Sequence, residues 1–164
     1  MRDQAETRWR VDDEAGLLAC YDATVAAAHR YAHRLTGSRA RSEDVVQDVY
    51  LQLVRAARDG RVVEVGAGWI MLAVRHRVLD QVRAADREER RLRLVWSSHA
   101  DASASSDLGS LDGVELSGRE RAALTLRYVD DLTVAEIADA LGTSVRATES
   151  LLARARARVR KAGA

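Results

Sequence analysis

Thr133-Val-Ala-Glu-Ile-Ala-Asp-Ala-Leu-Gly-Thr-Ser-Val-Arg-Ala-Thr-Glu-Ser-Leu-Leu152 decides the fold. Thr133 and Glu136 stand at the capping-box spacing, so a helix starts there. Val134, Ile137, Ala138 and Leu141 recur at three- and four-residue steps and give it one apolar face. Gly142 stops it. Ser144 caps a second helix, expected to reach about Arg160 with Val145, Thr148, Leu152, Ala155 and Val159 inward. Two short helices across a Gly-Thr-Ser turn make a helix-turn-helix signature. A plain helical hairpin fits the same pattern; the compact turn and the basic second helix favour DNA reading.

At about 100° per residue, Arg146, Ser150 and Arg154 then share the outward face. Ala147, Ala153 and Ala157 lie beside them and allow close approach to a major groove. Arg156, Arg158, Arg160 and Lys161 are assigned to phosphates; the alternative is a solvated helix end whose cations suit the dipole. Upstream, Ser117-Gly-Arg-Glu120 is a second capping box and opens a helix to about Tyr128.

Working further toward the N-terminus, residues 95–107 are rich in Ser and Asp and read as a linker. Before it come three helical stretches. The first runs from Glu14 to Leu35, with Leu17, Leu18, Tyr21, Val25, Ala28 and Ala32 in step, and ends at Gly37. Ser38 or Ser42 can cap the second, whose stripe is Val45, Val46, Val49, Leu53 and Ala57. A loop over 61–68 follows, then a third helix from Trp69 to about Leu94 with Ile70, Val74, Val78 and Val82 four apart. Residues 1–13 read as a mobile tail. The domains are thus 1–13 tail, 14–94, 95–107 linker and 108–164.

Composition narrows the function. The chain has 164 residues, 47% hydrophobic, with no Pro and no Phe. It can bury a helical core of Leu, Val, Ile and Ala. No apolar run is long enough to span a membrane, and the N-terminus lacks a secretory signal. A lone Cys20 cannot form an internal disulfide and points to a reducing compartment, the cytoplasm. Net charge is only +1, but two basic blocks, 67–93 and 117–164, each carry +3 around an acidic stretch of −4 over 94–116. Nearly all the cations are Arg, which pairs with phosphates and guanine edges. No nucleophile elbow, phosphate-binding Gly loop or C-x-x-C exists. His29 and His33 are four apart, without the Glu of a metalloprotease motif or a clear third ligand. No enzyme activity, metal or cofactor is expected, and Cys20 reads as a small core residue.

Two further stretches carry a resemblance. Ser42-Glu-Asp-Val-Val-Gln-Asp-Val-Tyr-Leu51 and Gly68-Trp-Ile-Met-Leu-Ala-Val-Arg-His-Arg-Val-Leu-Asp80 are similar to region two of the extracytoplasmic-function sigma factors. Leu116-Ser-Gly-Arg-Glu-Arg121, Leu126-Arg-Tyr128, Glu136-Ile-Ala138, Leu141-Gly142 and Leu152-Ala-Arg-Ala-Arg156 resemble their region four, in order and spacing. The resemblance implies an all-α protein of two small helical domains joined by a flexible acidic linker. It implies a factor that binds core RNA polymerase and directs it to promoter DNA.

By that resemblance, Asp44, Gln47, Asp48 and Leu51 face the clamp helices of the largest polymerase subunit, and region four meets the flap. Arg61, Arg75, His76, Asp80, Arg83 and Arg87 serve the minus-ten element, with the loop 61–68 holding a flipped base. Thr133, Ser144, Arg146, Glu149, Ser150, Arg154 and Arg158 serve the minus-thirty-five element. The acidic linker threads toward the RNA-exit channel. An anti-sigma protein is a further partner the family often has, and membrane insertion is not expected. Nothing but a few residues follows the last helix, so no C-terminal sensor domain is expected. His76 replaces a common Asn, and Glu149 and Leu151 stand where the family has cations. Lost cations flatten the salt dependence, and Glu149 can accept from a cytosine amino group. The rival is a helix-turn-helix regulator that is not a sigma factor; it has no need of the region-two signature.

Overall fold

A computed structural model describes residues 7–61, 63–96, 109–111 and 114–163. The order is β1 (Arg8–Val11), α1 (Glu14–Thr36), α2 (Arg39–Arg58), β2 (Val63–Gly66), α3 (Ala67–Trp96), β3 (Gly109–Leu111), β4 (Val114–Leu116), α4 (Gly118–Tyr128), α5 (Val134–Leu141) and α6 (Val145–Ala162). The chain is all-α in class, with two short antiparallel ribbons, β1–β2 and β3–β4. It divides into two compact units, residues to 33 with 39–77, and 34–38 with 78 onward. The division falls within α3.

In the first unit, α1, α2 and the start of α3 enclose a core of small and β-branched side chains. Val45, Val49, Leu53, Ile70 and Val74 are buried, as are Cys20, Ala28 and Ala32. Full burial of each Val, Leu or Ile is worth roughly 1.5–3 kcal/mol before entropy. Thr24 stitches this core: its hydroxyl donates to the Cys20 carbonyl at 2.6 Å and meets the Tyr50 hydroxyl at 2.7 Å. Gly37, at φ 64°, sits between α1 and α2 in the left-handed region that a side chain resists. Helix α2 begins directly after Ser38, and Ser42 lies inside it, its hydroxyl donating to the Arg39 carbonyl.

Two expectations are corrected here. Residues 8–11 of the expected tail form strand β1, and part of the expected loop 61–68 forms its partner β2. The pairing buries Val11 and Val65 completely. Residues 1–6 and residues 97–107 of the expected linker lie outside the described residues.

In the second unit, α4, α5 and α6 pack around Ala122, Leu126, Ile137, Leu141, Leu151 and Leu152, with Leu79 of α3 in the same cluster. Each helix start follows its cap. Ser117 and Thr133 each accept from the backbone N–H three residues on, and Glu120 and Glu136 return the bond. Gly142 closes α5 in the left-handed conformation at φ 61°. Arg121 is 1% exposed, the largest of the fully buried side chains. Asp86 of α3 pairs with Arg119 of α4, both mostly buried. Arg119 also donates to the Leu141 carbonyl at 3.1 Å, tying α4 to the end of α5. Burial lowers the Arg119 pKa from its ordinary value.

Candidate nucleic-acid interface

Helix α6 presents the bare face that the periodicity implies. Its buried stripe is Thr148, Leu151, Leu152 and Ala155. Arg146, Ser150 and Arg154 are exposed on the other side with Ala147, Ala153 and Ala157. Ser144 caps the helix by accepting from the Ala147 N–H at 3.2 Å, and the Ser150 hydroxyl donates to the Arg146 carbonyl at 3.0 Å. That leaves the Ser150 oxygen as an outward acceptor. Glu149 is exposed on the flank.

Three α6 assignments change. Val145 and Val159 are exposed rather than inward, at 46% and 38%. They lie at the helix ends, and the eight residues of α5 reach only about 12 Å along its neighbour. Leu151 is buried at 6%, so it is a core residue and not a cation missing from the outward face.

Arg158 and Thr133 are held within the protein. Arg158 donates to Oε2 of Glu120 at 3.1 Å, and that carboxylate is 5% exposed. The Thr133 hydroxyl donates to Glu136 at 2.7 Å and accepts from its N–H at 3.3 Å. The hydroxyl bond and the Thr133 N–H, which donates to the same carboxylate at 2.7 Å, hold the Glu136 carboxyl below its ordinary pKa. Arg156 turns its Nε onto the Leu152 carbonyl of its own helix.

Along α3, His76, Asp80, Arg83 and Arg87 recur at four- and three-residue steps and share one helix face. His76, Asp80 and Arg87 are exposed, and Arg83 pairs with Asp80. The Arg83 stem runs beside the Gly142 turn: a Cβ there would lie 3.7 Å from Arg83 Cδ. Arg75 lies about 100° off that face and is half-buried. Arg61 is exposed and bonds Asp59 at 2.9 Å.

On α2, Asp44, Gln47 and Leu51 are exposed. Asp48 is half-buried and already paired within the protein: Arg77 donates to its Oδ2 from both Nε, at 2.8 Å, and Nη2, at 2.5 Å. Asp48 therefore holds α2 to α3. Gln47 and Leu51 line a groove of about 590 Å³ between α1 and α2, with Leu17, Leu18, Tyr21 and Val54. Leu18 is 52% exposed and Tyr21 41%. The Tyr21 ring meets Tyr50 edge-on at 4.8 Å, and burial raises the Tyr50 pKa. The α1 side of this groove is absent from the sequence-based assignment. Its signal was there: Leu17, Leu18 and Tyr21 spread apolar area beyond one helix face. Among the described residues, no group of three or more His, Cys, Asp or Glu side chains could hold a metal ion. No helix among them is long and apolar enough to cross a membrane.

Comparison with known proteins finds two family matches in this chain. Residues 20–88 match the family described as Sigma-70 region 2, and residues 114–159 match Sigma-70, region 4. The ECF RNA polymerase sigma factor SigL of Mycobacterium tuberculosis is 32% identical over 158 residues, covering 85% of this chain and 84% of that protein. The chain belongs to the ECF RNA polymerase sigma factors. SigK of Mycolicibacterium vanbaalenii is 31% identical over 153 residues, covering 84% of this chain and 76% of its own. A solved chain, the sigma factor RpoE in complex with the anti-sigma factor NepR from Bartonella quintana, aligns at TM-score 0.45 and 20% identity over 86% of this chain and 92% of that one. As a sigma factor, the protein serves transcription initiation by RNA polymerase at promoter DNA.

Proposed function

We propose that this sigma factor uses three surfaces. The α1–α2 groove with Asp44, Gln47 and Leu51 takes the clamp helices of core polymerase. The α3 face of His76, Asp80, Arg83 and Arg87, with Arg61, Arg75 and the segment 63–66, takes the minus-ten element. The α6 face of Arg146, Ser150 and Arg154 enters the minus-thirty-five major groove, with Glu149 on its flank. In this reading Arg158, Thr133, Ser144 and Asp48 support those surfaces rather than touch the partner. An anti-sigma protein would act by covering the groove or the α6 face. The site of action is the cytoplasm, where polymerase is found.

The observation that carries the reading is the α6 face: two arginines and a serine, all exposed, with Ala147, Ala153 and Ala157 beside them and Glu149 on the flank. Small neighbours admit the helix to the groove, and guanidinium groups supply bidentate contacts to guanine. The rival, a helix-turn-helix regulator that never meets polymerase, leaves the exposed apolar groove of the first unit without a use. The test separates the surfaces. Leu51→Asp should abolish co-purification with core polymerase. Arg154→Ala should keep core binding and lose initiation that depends on the minus-thirty-five element. Unchanged promoter activity in Arg154→Ala would remove α6 from the assignment.

A further inference from the structure

Strand β1 has a use that neither region two nor region four supplies. It pairs with β2 in the register Arg8–Gly66, Trp9–Val65, Arg10–Glu64 and Val11–Val63. Val11 and Val65 are fully buried, while Arg8, Arg10 and Glu64 are exposed. A two-stranded ribbon is marginal on its own and is held by what it packs on. Among the described residues, β1 is the sole ladder partner of β2. No residue separates β2 from α3, since Gly66 is followed at once by Ala67, so holding β2 also holds the start of the helix that carries Arg75 and His76.

The anchor of β1 is equally specific. Its end turns into α1 at Asp13, whose Oδ1 accepts from the Gly16 N–H at 2.8 Å. A Cβ on Gly16 would lie 2.0 Å from the Arg10 carbonyl oxygen and 3.2 Å from its carbon. That is backbone on backbone, with no flexible side chain to give way. Gly16 lies in the first turn of a helix, where Ala would be the better helix former. The glycine admits the strand.

We propose that β1 is a specificity-positioning element: it clamps residues 63–66, the segment assigned above to the flipped minus-ten base, and thereby sets which base that segment accepts. The proposal rests on the minus-ten assignment of the previous subsection. A segment whose backbone is fixed before binding discriminates better than one that must be ordered by its ligand. β1 fixes this one from outside the two matched regions, using residues 8–11.

The test uses two variants of the full chain. Gly16→Ala displaces the Arg10 carbonyl, and deletion of residues 2–10 removes three of the four residues of the strand. Two readouts are taken with wild type alongside: hydrogen exchange of the amides of residues 63–66, and start-site usage by reconstituted holoenzyme on promoters randomised in the minus-ten element. Both variants should lose amide protection at 63–66. Both should also narrow, severalfold, the spread of usage among minus-ten bases, while the minus-thirty-five preference stays that of wild type. Unchanged protection, or unchanged base preference despite lost protection, overturns the proposal alone. Failure of wild type to initiate at any specific start overturns the sigma-factor assignment of this segment and the proposal with it.

Discussion

Arg158→Ala should destabilise the second unit rather than weaken DNA binding. The Glu120 carboxylate is 5% exposed and has two partners: the Ser117 N–H of its own helix cap at 3.0 Å and, from α6, the Arg158 Nη1 at 3.1 Å. Removing one member of a fully buried ion pair costs about 3–5 kcal/mol. Arg158 is 52% exposed, so water reaches its end of the contact and much of that figure is screened. One charge-assisted hydrogen bond remains to be lost, about 1–2 kcal/mol. Urea unfolding followed by far-ultraviolet circular dichroism measures it. Arg154→Ala is the control: its side chain is exposed, and its loss should leave stability within about 0.5 kcal/mol. An Arg158→Ala protein that unfolds like wild type, yet loses one phosphate contact from the salt dependence of promoter binding, would refute this division of roles.

Leu79→Ala should cost about 2–5 kcal/mol in urea unfolding, because Leu79 is 3% exposed within the α4–α6 cluster. Glu149→Lys should steepen the log–log salt dependence of promoter binding by about 0.9 and erase any preference for cytosine opposite that residue; holoenzyme binding between 50 and 200 mM salt checks both. Thr133→Ala should raise the Glu136 titration midpoint toward the ordinary 4.5, read from its side-chain carboxyl resonance. The sign follows from the lowered folded pKa. The contribution of the Thr133–Glu136 contact is complete above 4.5 and is lost as pH falls through the folded value, so the wild-type advantage over Thr133→Ala should shrink on acidification.

Much of the second unit was legible because its signals are local. Ser117 with Glu120, Thr133 with Glu136, Ser144, and Gly142 each act within three or four residues, and each stands where the spacing put it. The outward face of α6 followed from the same counting. What escaped is non-local. Residues 8–11 carry no signal for pairing with a segment more than fifty positions away, and three of those four residues are charged or aromatic. Arg77 with Asp48 and Arg158 with Glu120 meet across 29 and 38 positions, so Asp48 and Arg158 looked like available surface charges. Arg121 reads as exposed by residue type and is buried by the helices around it. Leu151 was judged by what relatives carry there, although its own apolar side chain already pointed to the core. The groove was half legible: α2 offered Gln47 and Leu51, but its α1 wall looked like ordinary core stripe.

As proposed above, this sigma factor directs core RNA polymerase to promoters through two separate DNA-reading surfaces. The direct measurement is reconstituted transcription with bacterial core polymerase on a genomic fragment library, with transcript starts sequenced. Discrete starts sharing paired motifs, one near minus ten and one near minus thirty-five, are the expected result. With active core and a working control sigma factor, an absence of specific starts would contradict it.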